Sequence, residues 1–66
     1  MELYTLSKNG TKRCKDTLTR AKCLAKLEKA RARAVIGGYT YTWRGSKDGA
    51  VMTISNGDTW RMELVG

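Results

Sequence analysis

The chain of 66 residues has no histidine, no proline, two cysteines and only six acidic residues. It also has no apolar run long enough for a signal peptide or a membrane span. Each shortage excludes something. Without histidine, the side chain that most often moves protons near neutral pH is missing. Zinc takes about four nitrogen or sulfur ligands, and two cysteines cannot supply them, so no metal and no other cofactor is expected. The acids Glu2, Asp16, Glu28, Asp48, Asp58 and Glu63 are scattered. No spacing places two of them over one substrate. Gly37-Gly38 follows a helix-forming stretch instead of preceding one, so it reads as a helix stop and not as a phosphate loop. The chain therefore reads as a binding protein and not as an enzyme, with no catalytic residues. Cys14 and Cys23, in a chain with no apolar leader, read as reduced thiols of a cytoplasmic protein. Cys23 has basic neighbours, yet its reading is a half-buried helix residue and not a nucleophile. With no proline, chain reversals must use Gly, Asn and Asp.

What the chain does have is positive charge in one place. Thirteen Lys and Arg give a net charge of +7. Residues 8–33 hold ten of the basic residues and two of the acids, so this segment alone exceeds the net charge of the whole chain. Concentrated charge steers a polyanion, whereas diffuse charge mainly keeps a protein soluble. An acidic mimic of DNA is excluded by the same balance.

A single small domain is expected. Residues 2–7 read as a short strand, Lys8-Asn9-Gly10 as a turn, and residues 11–14 as a further short strand. Asp16 or Thr17 is expected to cap a helix over residues 18–34, rich in Ala, Leu, Lys and Arg. Leu24, Leu27, Val35, Ala21 and Ala34 are its expected core face. Residues 39–64 alternate in three successive segments, which predicts an antiparallel meander with one apolar face. Tyr39, Tyr41, Trp43 and Trp60 share that face with Met52, Ile54, Met62 and Leu64, so they read as core and not as base-stacking platforms. Directly opposed strand residues share a face. This favours a three-residue loop with Gly57 in a left-handed bulge over a two-residue Asn56-Gly57 turn. It also favours a four-residue loop over residues 46–49 that sets Trp43 opposite Met52. The fold class is α+β, in the order β-α-β-β-β. One helix covers one face of a small antiparallel sheet, with the N-terminal strand at an edge or in the middle.

At about 100° per residue, Lys22, Lys26, Lys29 and Arg33 fall on one narrow sector of the helix. An ordinary solvated helix face mixes its signs, but Glu28 is the only acid between residues 17 and 38. Lys8, Lys12, Arg13 and Lys15 precede the helix and extend the basic patch. These residues are the expected site for a nucleic acid, DNA or RNA. Arg44 and Arg61, among threonines on the outer sheet face, are secondary candidates for reading base edges. The alternative is a small modulator or inhibitor, of the kind compact phage genomes use, that binds an acidic host protein. In that case the strand over residues 59–65 would offer a sheet edge for strand addition or a homodimer.

Overall fold

The computed structural model describes residues 2–65. Along the chain these form β1 (Leu3–Lys8), β2 (Thr11–Lys12), β3 (Leu18–Thr19), α1 (Arg20–Ile36), β4 (Tyr41–Ser46), β5 (Gly49–Ile54) and β6 (Thr59–Leu64). All pairings are antiparallel, in the order β2-β1-β6-β5-β4, with β3 also on β1. The two short strands share one edge of β1. β2 pairs with Ser7 and Lys8, and β3 with Leu3 and Tyr4. The helix lies on one face of this sheet, so the expected α+β architecture is present, with the N-terminal strand inside the sheet.

Local chemistry accounts for the reversals. Asn9 and Gly10 both have positive φ (53° and 83°), and Lys8 pairs directly with Thr11. That is the type I′ geometry for which Asn-Gly is preferred. Between β5 and β6, the Ile54 amide donates to the Asp58 carbonyl and the Gly57 amide to the Ile54 carbonyl. Gly57 has φ 102°. The loop thus has three residues, 55–57, as the alternation requires. Between β4 and β5, pairing continues to Ser46↔Gly49. The loop is therefore Lys47-Asp48 alone, two residues shorter than expected, but Trp43 still faces Met52.

The helix starts later than Asp16 or Thr17 would allow. Leu18 and Thr19 pair with β1, and Thr19 is the cap, its hydroxyl accepting from the Lys22 amide. The roll of the helix also differs from expectation. Cys23, Leu27 and Ala34 are buried and Ala30 packs beside them, whereas Leu24 is half-buried and Ala21 and Val35 are exposed. The buried seam runs at spacings of four, three and four. It sits on Tyr4, Leu6, Ala50, Met52, Ile54 and Met62.

The strand order overturns two further expectations. Residues 59–65 do not supply an edge, because β6 lies between β1 and β5. Tyr39, Tyr41 and Trp43 are not core either. They are 46%, 40% and 43% exposed, and every residue of β4 is exposed. Tyr41 and Trp43 do lie on the helix-side face, opposite Ile54 and Met52. The reason is width. Five strands about 4.8 Å apart span roughly 19 Å, and one helix is about 10 Å across. The helix touches β4 as well as β1 and β5 but is too narrow to close over Tyr41 and Trp43, which stay partly open.

Two substitutions test this packing. Leu27→Ala is expected to cost about 3 kcal/mol, since it opens a cavity in the centre of the seam. Gly49 has φ 152°, and a Cβ there would run into the Met62 carbonyl. Gly49→Ala is expected to cost about 2 kcal/mol or more. Urea titrations followed by circular dichroism measure both. A loss under about 1 kcal/mol for Leu27→Ala would mean that the helix is seated on another face.

Candidate nucleic-acid interface

The roll of α1 decides where its cations go. Lys22, Lys26, Lys29 and Arg33 each precede a seam residue (Cys23, Leu27, Ala30, Ala34) by one position. They therefore stand about 100° from the direction of burial. The stripe is not on the back of the helix. It runs along the flank, next to the sheet. All four residues are exposed, and among the described residues none is in a salt bridge. The helix acid Glu28 is on the opposite flank and pairs with Arg31. That contact lowers the Glu28 pKa and raises that of Arg31, mainly through the hydrogen bonds between the two side chains.

The basic flank and the sheet end near the Asn9-Gly10 turn form the walls of a cleft of about 360 Å³. Lys26, Lys29 and Arg33 line it from the helix, and Lys8 and Arg13 from the sheet side. Half-buried Trp60 and exposed Tyr39 also line it, over a floor that includes Leu6, Ala34 and Ile54. Trp60 faces the helix side because it pairs with Met52 and Lys8. The Lys8 ammonium lies 5.5 Å from its ring centre and the Arg13 guanidinium 5.9 Å. Both are cation–π distances. Tyr39 is held there by its amide, which donates to the Ala34 carbonyl just past the helix end.

Among the described residues, Asp58 is the only carboxylate in the cleft, against five cations. It accepts from Asn9 (3.1 Å) and Asn56 (3.2 Å) and lies 3.7 Å from the Lys8 ammonium. The Asn9 hydrogen bond is the main influence that holds its carboxyl below the usual range; burial opposes it, and Lys8 and Asn56 assist it. The same Asn9 accepts from the Thr59 amide and donates its own amide to the Thr59 carbonyl. Asp58 thus helps fasten the β1–β2 turn to the start of β6 and sets one wall of the cleft.

The remaining candidates are dispersed. Lys22, Lys12 and Lys15 are exposed but do not line the cleft. Arg44 and Arg61 lie on the opposite sheet face, in the row Arg44, Val51, Arg61 and Ser7. Arg61 is 3.8 Å from the Glu63 carboxylate, which offsets its charge. The alternation placed Trp60 and Tyr39 in the core. Trp60 does pack against the core but stays half-buried, and Tyr39 lies between α1 and β4 and is exposed.

Cys23 is fully buried, not half-buried as its sequence neighbours suggested. Burial is the main influence that pushes its thiol pKa up, Cys14 adds to this, and Lys26 opposes it. A nucleophilic cysteine needs the opposite shift. Among the described residues, no group of three His, Cys, Asp or Glu could hold a metal. No helix among them is long and apolar enough to cross a membrane. No family model, curated protein or solved structure matches the chain.

The Asp58 contacts predict a pH dependence. A carboxyl with a depressed folded-state pKa stabilises the fold above its unfolded value of about 3.9. That contribution is lost as pH falls through the folded value. Urea unfolding of the parent chain and Asp58→Asn at pH 7 and pH 3 should show a smaller acid-side loss in the variant. Glu28 supplies a remaining slope in both proteins. Equal losses in the two would mean that Asp58 does not fasten the turn.

Proposed function

We propose that this chain is a non-enzymatic nucleic-acid-binding module whose site is the cleft between the basic flank of α1 and the Trp60 end of the sheet. The observation that carries this reading is the convergence of five cations, the half-buried Trp60 ring and the exposed Tyr39 ring on one cleft whose one carboxylate among the described residues is engaged. Cations at about one helical turn from one another match successive phosphates of a backbone. The rings add what phosphate alone does not need, a flat apolar surface for a base. Stacking needs bases that are not already paired, so the favoured ligand is a single strand or a loop. An acidic protein would be drawn to the same cations, which keeps the modulator reading alive as an outcome of the test.

The test uses labelled single-stranded and duplex oligonucleotides at two salt concentrations. If about four phosphates are neutralised, single-strand affinity falls roughly 50-fold between about 50 and 200 mM salt. Lys26→Glu, Lys29→Glu and Arg33→Glu together should abolish binding while the circular dichroism spectrum is kept. In a Trp43→Phe background, Trp60 is the sole tryptophan. Its fluorescence should be quenched by the single strand but not by duplex. Trp60→Ala should weaken single-strand binding by about 1–3 kcal/mol. If no oligonucleotide binds at low salt, the nucleic-acid reading fails, and an acidic protein becomes the partner to seek.

A further inference from the structure

A second surface lies across the helix from the basic cleft. β4 is an edge strand of six residues, exposed along its whole length, and among the described residues no other strand lies outside it. Edge strands are usually blunted by proline, a bulge or charge. β4 has no proline, its pairing with β5 runs without a bulge from Tyr41↔Ile54 to Ser46↔Gly49, and its one charged residue is Arg44. On the helix side it shows Tyr41 and Trp43, which with Leu24, Leu27 and Met52 line an open groove against the other flank of α1. Arg31 caps this groove, its guanidinium 5.6 Å from the Tyr41 ring centre and paired with Glu28.

We propose that β4 pairs with β4 of a second copy of this chain, antiparallel, about a two-fold axis at Trp43. An edge strand presents both donors and acceptors, so an antiparallel copy of itself satisfies every group. The register follows from which groups are free. The Thr40 carbonyl accepts from the Ser55 amide on the β5 side. Ladder bonds alternate, so the amides and carbonyls of Tyr41, Trp43 and Gly45 point outward. An axis at Trp43 pairs Trp43 with Trp43 and Tyr41 with Gly45 of the other copy, using all of these groups. It also sets Arg44 opposite Thr42 and not opposite Arg44, which avoids stacking like charge. The Trp43 indole of the same copy lies over Gly45, so the tyrosine ring of the other copy would rest against that indole. A two-fold axis normal to the sheet keeps both helices on one face. The four rings then fill the strip between them.

The area sets the strength. A strand about 20 Å long with a strip of side chains on each side covers roughly 400 Å² per copy. The total of about 800 Å² is below the roughly 1,000 Å² of a stable specific interface, so the contact is a transient one. The dimer is therefore reversible and concentration-dependent. Its salt dependence is opposite to that of nucleic-acid binding, because two chains of net charge +7 repel and salt screens them.

Analytical ultracentrifugation from about 1 μM to 1 mM protein spans the range of such an interface. The expected result is a mass that doubles with concentration, at lower concentration in higher salt. Tyr41→Thr with Trp43→Thr, which keeps strand-favouring residues, should stay at the single-chain mass. A second pair of variants tests the register in a background with Cys14→Ser and Cys23→Ala. Trp43→Cys should form an intermolecular disulfide under mild oxidation, because directly opposed residues lie about 5.5 Å apart. Arg44→Cys should not. Three results overturn the proposal: a single-chain mass up to the highest concentration, a dimer that survives loss of both aromatic residues, or equal cross-linking at positions 43 and 44.

Discussion

Cys23, Leu27, Ala30 and Ala34 press onto a sheet face built from Tyr4, Leu6, Met52, Ile54 and Met62, and this contact sets the roll of α1 about its own axis. Every surface of interest depends on that angle. Turned by roughly one residue in one direction, the helix would carry Lys22, Lys26, Lys29 and Arg33 onto its solvent-facing back, far from Trp60 and Lys8. Turned the other way, it would push ammonium groups into the core, where an unpaired charge is too costly to keep. Small residues at two of the four seam positions allow the helix to approach closely. That closeness brings its basic flank level with the sheet end.

The one-sided charge of the helix opposes its stability. Like charges three and four residues apart cost a few tenths of a kcal/mol per pair. The first turn contains no acid to favour the helix dipole and does contain Lys22. Only Arg33 in the last turn is well placed in that respect. Tertiary burial must hold the helix against this repulsion. Polyanion binding is the circumstance in which such an arrangement becomes favourable, since phosphates relieve the repulsion that the helix carries alone.

The sheet is wider than its cover, and this mismatch creates two unlike surfaces on either side of the helix. On one flank, cations and half-open rings meet in a cleft. On the other, Tyr41 and Trp43 lie on an unpaired strand. Both surfaces lie on the same face. An assembly that buried the second would leave the first open, and two copies would then present two clefts in a fixed relation.

The alternation over residues 39–64 determined the meander, its register and even the three-residue loop at 55–57, because a strand that slips by one residue turns every side chain to the wrong face. Composition likewise pointed to one helix carrying the positive charge, since Ala, Leu, Lys and Arg are the strongest helix formers. Position along the helix fixed which cations share a sector. The sequence alone did not settle which sector faces the sheet. Of the expected face of Leu24, Leu27, Val35, Ala21 and Ala34, Leu27 and Ala34 are buried, and the fit against Tyr4, Leu6 and Met52 put Cys23 and Ala30 beside them in place of the others. Nor could alternation tell Trp43 on an outer strand from Met52 on an inner one, because the two patterns are identical along the chain. Strand order is a non-local property. It placed β6 in the centre and β4 at the edge, and so decided which apolar residues became core and which became surface.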